Sequence, residues 1–583
     1  MDSFNLPISY LDDKIDTNTH LIMDLELVEP EAREEPKSKD IKNHEDQISL
    51  YEKVLHADTA YSKKTIPLWA KYFTNNKHYI LDTQKLLKNT IPEPTNDTTE
   101  MEKIWNDIIL ETDFYTKYKY LDNSWGFAKM LNNNNSFLQL LSIYNISSPL
   151  ISLAVPILFL VLPFFIIKLQ GFKITIDKYI HVLKIVFKKH ALGKLFEINT
   201  ANFSQKVYIL VSIGFYIFQT YQNIISCKTF YKHTKIINSH LKYTKTFIKD
   251  TLTSMSIFEE TCSDLNTYSP FIQNMQLHKN ILTSFMIKLN SENFDTKNTF
   301  RCFSMGNYMY CFNKLYNDKN LIDSIEYSLY LSGYFSNIRE IQNKITKKQM
   351  SFCKLSTKST SFKDAYFPPY SNKTVKNTYS LKDNMLITGP NAAGKTTILK
   401  TTLFNILISQ QLGCGFYSSS KLNPYDKIYS YLNIPDTSGR DSLFQAEARR
   451  CVNILNSIDN DRNNKALKNK PRHFCVFDEI YSGTNPYEAI GAAIAYLKYL
   501  NKYENITFIV TTHFLDVCKH LEAVKKIKNY NMKILEKDNV FNYTYKIQKG
   551  ISTVKGGVKV LRDLKYPKKI IDETIEIIKT LNI

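Results

Sequence analysis

At 583 residues the chain exceeds what a single hydrophobic core organises, so three or four structural units are expected. Lys and Arg outnumber Asp and Glu by 75 to 56, a net charge of +19 that suits a nucleic-acid or anionic-membrane partner, although part of the Lys excess is what an AT-rich coding sequence would also give. Nine cysteines, all from Cys227 onward and without a C-x-x-C pair, follow an N-terminus unlike a cleavable signal peptide. These features exclude a disulfide-framework secreted protein and imply a reducing compartment, with Cys302 and Cys311 read as unlinked thiols.

Charge is unevenly placed along the chain. Residues 1–50 hold 13 acidic against 5 basic side chains, which leaves +27 on the remainder. "VEPEAREEPKSKDIKNHEDQ" (28–47) has the charge and proline content of a solvated linker, so residues 1–49 are expected to form a disordered acidic head. Residues 50–146 read mainly as helices, with apolar side chains at three-to-four spacing.

No charged residue occurs between Lys129 and Lys168, and "PLISLAVPILFLVLPFFII" (149–167) is long enough to cross a bilayer. Pro149, Pro156 and Pro163 recur every seven residues along one flank and would kink a helix, which membrane spans tolerate better than soluble helices. "VYILVSIGFYIFQTYQNIISC" (207–227) is a second uncharged stretch, equally readable as a core helix. Between them, residues 168–206 carry eight Lys against Asp177 and Glu197, and "IDKYIHVLKIVFKKHALGKLF" alternates like a basic amphipathic helix. Residues 147–227 are therefore expected to form a transmembrane hairpin with one or two spans. Six more Lys in 228–249 leave both flanks of the second stretch basic, so the positive-inside rule does not fix the topology.

Residues 228–355 again read as helical. From about residue 356 short β-rich runs, "NMLIT", "HFCVFDEI" and "ITFIVTTH", alternate with helices, the pattern of an α/β domain with a mainly parallel sheet. The expected fold class is thus a C-terminal α/β P-loop ATPase domain over 356–583 joined to a mostly α-helical N-terminal half.

The P-loop assignment rests on "TGPNAAGKTT" (388–397), where Gly389 to Thr396 fit G-x-x-x-x-G-K-[ST] between an apolar strand and a helix. Gly389 and Gly394 let the backbone curl so that successive N–H groups and the following helix N-terminus face an anion, and Pro390, Asn391 and Thr397 belong to the same nucleotide-binding set. Lys395 would reach the outer phosphates of ATP and Thr396 would supply a hydroxyl to Mg²⁺. Such a loop needs a carboxylate for the metal and a second to orient water. "FCVFDEI" offers Asp478 and Glu479 at a strand end, and His513, at the end of "TFIVTTH", is the candidate to touch the γ-phosphate or attacking water.

These motifs resemble the MutS family in order. "TGPNAAGKTT" is similar to its T-G-P-N-x-x-G-K-[ST], "DEIYSGTNPYEA" to D-E-I-x-x-G-T-x-x-Y-[DE]-[GA], and "TTHF" to [AT]-T-H-[YF]. "SLFQAEARRCVNIL" places Ser442, Phe444, Glu447 and Asn453 on S-x-F-x-x-E with its N-I-L, and "GVKVLRDLKYPKKIID" resembles the family's tail. The L-S-G-G-Q signature of ABC transporters is not found in "NDRNNKALKNKPRHF" before the Asp-Glu strand. Upstream, "SLYEKVLHADTAYSKKTIPLWAKYFTNNKHYILDTQKLL" resembles a degraded start of the family's helical lever region, and "FEE" at Phe258 to Glu260 matches the Phe-x-Glu wedge only formally. Because only about fifty residues precede the lever-like segment, no conventional mismatch-reading domain is expected.

The resemblance implies a homodimer or MutS-like heterodimer with Ser442 and Asn485 reaching nucleotide in the other subunit. It implies MgATP hydrolysis, with Glu479 and His513 catalytic, coupled to arm movement on DNA in mismatch repair or recombination. Two alternatives stand beside it: a membrane-anchored mechanochemical ATPase acting on lipid or protein without DNA, and a paralogue that binds ATP without turnover. The expected location is a membrane, with the ATPase domain on the cytosolic or nucleoplasmic side.

Overall fold

The computed structural model describes residues 4–29, 48–57, 59–92, 98–122, 126–171, 175–189, 202–290, 305–368, 374–432, 434, 442–464, 470–537, 540–552, 558, 561–562 and 564–580. The chain divides into two compact units, one of Met1–Pro94, Thr253–Leu277 and Tyr327–Ile583, the other of Thr95–Leu252 and His278–Glu326.

The first unit opens with β1 (Lys14–Asp16), which pairs antiparallel with β2 (Tyr72–Thr74). From residue 351 the chain alternates between two sheets. β3 (Ser351–Leu355), β4 (Ser361–Ala365) and β5 (Asn377–Ser380) belong to the smaller, β6 (Asn384–Thr388) to the larger, and β7 (Cys414–Gly415) and β8 (Ser419–Leu422) return to the smaller. β9 (Lys427–Tyr431), β10 (His473–Asp478), β11 (Ile506–Thr512), β12 (Ile527–Lys537) and β13 (Val540–Lys549) complete the larger, in the order β13-β12-β6-β11-β10-β9. Its pairings are parallel except β12 with β13, as expected of a mainly parallel sheet. β6 is buried throughout and β10 from His473 to Phe477, which is why they read as continuous apolar runs: both faces of the sheet are covered. The helices Leu443–Asn463 and Pro486–Asn501 supply Cys451, Ile454, Ala493 and Leu497 to the core against Phe477, Phe508 and Val510.

The linear domain boundaries expected from sequence do not match these units. Residues 4–29, placed in the acidic head, are folded: Phe4, Leu21 and Leu27 are buried, and Phe4 sits in an aromatic cluster with Phe271, Tyr327 and Tyr330. Buried Asp24 reaches the partly buried Arg450 at 3.1 Å, and also accepts the Leu432 N–H. The linker over 30–47 lies outside the described residues. Residues 50–92 are not a separate lever but part of the sheet-bearing unit. Tyr51 Oη donates to Gln411 at 2.6 Å, and Gln84 Nε2 donates to the Cys353 and Gly413 carbonyls, buried polar bonds that only a single packed body can satisfy. Phe258 is fully buried against Phe271 and Phe335, so the formal Phe-x-Glu match is core packing.

The second unit is helical. Its base is aromatic: Phe114 stacks on Tyr316 at 3.8 Å and on Tyr120 at 5.0 Å. The helix Asn135–Leu169 starts in this base, where the Gly306 N–H donates to Gln139 Oε1 at 2.7 Å. It continues without interruption through Pro149, Pro156 and Pro163, so the expected kink does not break it. A shorter helix, Ile176–Lys189, follows within the basic connector. The second apolar stretch lies inside a 59-residue helix, Phe203–Thr261. Among the described residues one helix segment is long and apolar enough to cross a membrane, Asn135–Val155.

Candidate functional site

The site forms where β6, β10 and β11 end side by side. β6 runs into the loop Gly389–Gly394, which turns through positive φ at Ala392 (63°) and Gly394 (91°) before the buried helix Lys395–Leu412 begins. Gly394 caps that helix in a left-handed conformation, and a side chain there would meet Tyr545 at 3.1 Å. The loop amides and the helix N-terminus together form an anion receptacle.

Lys395 is buried, and its Nζ donates to the Gly389 carbonyl at 2.9 Å and the Pro390 carbonyl at 3.2 Å. Burial lowers its basicity, an effect opposed by the Glu479 and Asp478 carboxylates. Thr396 Oγ1 donates to Asp478 Oδ2 at 2.6 Å, while the other Asp478 oxygen accepts from the Thr511 hydroxyl. Glu479 adopts a left-handed backbone (φ 53°), fixed by its N–H to the Thr511 carbonyl at 3.1 Å. That turn aims its carboxylate at His513: Nε2 lies 2.6 Å from Oε1, and Lys395 Nζ lies 3.6 Å from the same oxygen. The histidine hydrogen bond holds the Glu479 carboxyl below its usual range, with Lys395 adding to the effect against partial burial.

A cavity of about 480 Å³ opens over the loop, lined by Pro390, Asn391, Gly394, Lys395, Thr396, Thr397 and Glu479 from the expected set. The sequence-level reading missed Phe367, Asn377 and Tyr545, which line it too. Asn377 is buried and grips β13, donating to the Tyr545 carbonyl at 3.0 Å and accepting the Ile547 N–H at 2.9 Å. No local motif marks these residues; only the pairing of β12 with β13 brings Tyr545 over a loop 150 residues earlier.

Ser442 and Asn485 do not line the cavity. Both are exposed helix N-caps: Ser442 Oγ accepts from the Gln445 N–H in a capping box, and Asn485 Oδ1 accepts from the Tyr487 N–H. Their two helix starts are joined by buried Glu447, whose carboxylate accepts the Ser482 N–H and hydroxyl and the Gly483 N–H. A side chain at Gly483 would collide with Leu443 at 2.8 Å, which explains glycine in this turn.

The donor set fits Mg²⁺. Thr396 and Asp478 present hard oxygens close together, and magnesium takes few protein oxygens, completing its octahedron with phosphate and water. Among the described residues no cluster of three His, Cys, Asp or Glu side chains could hold a metal alone, so the ion would need phosphate oxygens as well.

Comparison with known proteins agrees in extent with this architecture. The family model of MutS domain V matches residues 385–582. The DNA mismatch repair protein MutS of Bacteroides fragilis (strain YCH46) is 30% identical over 200 residues, covering 34% of this chain and 22% of that protein. The same-named proteins of Persephonella marina (26% over 213 residues, 36% of this chain and 23% of that protein) and Methanosarcina barkeri (28% over 201 residues, 34% and 21%) are similar to a comparable extent. The chain thus spans about a fifth of the length of these relatives. The larger sheet and the loop fall within the matched segment, so residues 385–582 are similar to MutS domain V.

Proposed function

We propose that the protein binds MgATP over the loop 389–397 and hydrolyses it in a site completed by a second MutS-type domain, from an identical copy or a MutS-like partner. The cycle would drive arm movement on DNA in a mismatch-repair or recombination-related role. The observation that carries this reading is the convergence of Lys395, the Thr396–Asp478 pair and the Glu479–His513 pair at adjacent strand ends.

In this reading Lys395 leaves the Gly389 and Pro390 carbonyls for the outer phosphates, and the loop amides hold the rest of the chain of phosphates. Thr396 and Asp478 would hold Mg²⁺, which when bound neutralises charge on the β- and γ-phosphates. Glu479, kept ionised by His513 and Lys395, orients a water and accepts its proton. Phe367 and Tyr545 offer aromatic faces for the base. Ser442 and Asn485, the exposed N-caps of the two helices whose starts Glu447 joins, are the candidates to reach a neighbour's nucleotide. The net charge of +27 outside residues 1–50 supports a grip on DNA phosphates with little base readout.

The test is the ATPase rate of the full chain in detergent, with and without mismatched, branched and single-stranded DNA. DNA should stimulate turnover and its affinity should fall steeply with salt. Glu479→Gln should reduce turnover at least about a hundredfold while ATP stays bound and the dimer persists. A wild-type rate in that variant, or a strict monomer under saturating nucleotide, would sink the proposal.

A further inference from the structure

The helical unit contains two kinds of surface on the same helices. In its base Leu138, Ser142, Phe230, Thr234, Ile237 and Leu241 are buried. Past Ser142 none of the described side chains through Gln170 is buried, and between Val207 and Cys227 Ile209 alone is. Leu150 is 71% exposed and Phe215 70%. Leu150, Leu153, Leu162 and Ile166, all exposed, spread over more than half of a helix circumference at 100° per residue. A helix that is apolar all round needs cover on every side.

Four observations identify the cover as lipid. The uncharged run 207–227 rises about 31 Å, matching a hydrocarbon core of about 30 Å, and the uncharged run ending at Lys168 is at least as long. Charge returns at the ends of both runs, as Lys168 and Lys206 on one side and Lys228 on the other, with Lys168 Nζ lying 5.9 Å from the Phe164 ring. Three hydroxyls within the runs bond back to their own helix: Ser152 donates to the Pro149 carbonyl, Ser212 to Tyr208 and Thr220 to Tyr216. Tyr216 and Cys227 bridge the two helices, donating to the carbonyls of Ser152 and Ile146. Hydroxyls bonded back to their own helix and bonds between the two helices are compatible with water-free surroundings. Finally, the amphipathic helix Ile176–Lys189 is held at the end of the first run, where the Tyr179 hydroxyl accepts the Phe164 N–H at 3.1 Å and the rings lie 4.5 Å apart. Lys178 and Lys184 beside exposed Ile176, Ile180 and Val182 put basic and apolar groups on one helix, as a lipid headgroup boundary accepts.

We propose that residues 143–227 form a helical hairpin that crosses a lipid bilayer twice, the second run, less apolar than the first, being held to it by the Tyr216 and Cys227 bonds, with the helix Ile176–Lys189 on the opposite face. This goes beyond the ATPase reading and does not rest on it. Two crossings return the chain to the face it left, so the segments before Lys129 and after Lys228 share one compartment.

The experiment uses the full chain mixed with neutral phosphatidylcholine vesicles, so that electrostatic adsorption contributes nothing, followed by high salt, an alkaline carbonate wash and flotation. The wild type should float with the vesicles. The triple variant Leu153→Arg, Leu162→Arg, Phe215→Arg should remain at the bottom, partitioning falling about a hundredfold for each arginine placed near the bilayer centre. Wild-type protein released by carbonate, or stable without detergent as an oligomer that hides these helices, overturns the proposal. Should the triple variant misfold, trypsin on sealed membranes carrying the wild type decides. The Lys-rich connector should survive while sites near Lys129 and Lys228 are cut, and detergent should expose it; cleavage at all of these sites in sealed membranes means the hairpin does not cross.

Discussion

The helix Lys395–Leu412 and the helix Asn135–Leu169 are both apolar around most of their circumference, yet their surroundings are opposite. In the first, Ile398, Leu399, Leu403, Phe404 and Leu407 are buried on every side by sheets and neighbouring helices, so even Asn405, Gln410 and Gln411 are inside and each is hydrogen bonded. In the second, none of the described side chains past Ser142 is buried. Uniform hydrophobicity therefore says that a helix must be covered, and not by what. The hydroxyls of both helices bond back to their own turns, Thr401 and Thr402 in the first and Ser152 in the second, but the first also sends amides to other chain segments, Gln411 to the Trp69 and Tyr72 carbonyls for example.

The sharpest way to break this comparison is to remove the same group from both. Leu403→Ala empties a fully buried site and should cost about 3–5 kcal/mol, read as a large drop in the thermal midpoint of the detergent-solubilised chain. Leu158→Ala, at a side chain 51% exposed, should cost less than about 1 kcal/mol. Equal losses would mean that the exposed helices are packed by protein after all.

A second measurement tests how dry the sheet core is. His473 at the start of β10 is fully buried beside Tyr429, with Asp461 at 3.7 Å and Lys427 paired to that Asp461. Burial pushes its basicity down to about 4, with Asp461 opposing and Lys427 assisting. The unfolded chain takes up this proton near pH 6.5 and the folded chain only near pH 4, so acidification across that window favours unfolding. Stability should fall by about 3 kcal/mol from this group between pH 6.5 and 4, and His473→Leu should flatten the profile there.

These contrasts also show which parts of the molecule are legible in the order of residues. The loop 389–396, the Asp478–Glu479 pair and His513 are local patterns whose spacing is set by strand ends, and they meet in space as that spacing implies. Phe367, Asn377 and Tyr545 are not local: the β13 register that carries Tyr545 to the loop is decided by pairing, which no window of sequence contains. The N-terminal segment was misread for another reason. Its acidic average hides Phe4, Leu21 and Leu27, a few anchors whose burial outweighs the charge, and one acid, Asp24, is itself buried because Arg450 waits for it. Residues 50–92 look like an arm because their helical periodicity is ordinary; Tyr51 finding Gln411, 360 positions away, is what binds them to the sheet-bearing unit.

The smallest effect separates two roles for Ser442. Its hydroxyl is engaged in capping the helix Leu443–Asn463, so Ser442→Ala should cost about 1 kcal/mol of stability whatever else the residue does. Asn caps as well as Ser, and Ser442→Asn should therefore melt within a few tenths of a kcal/mol of wild type. If the hydroxyl also reaches a neighbour's nucleotide, ATP turnover must fall in Ser442→Asn although the cap is kept, because the longer amide changes what the exposed position offers across the interface. Unchanged turnover in the asparagine variant, alongside lower stability in the alanine variant, would assign Ser442 to the helix start alone and leave the exposed Asn485 to make the contact across the dimer.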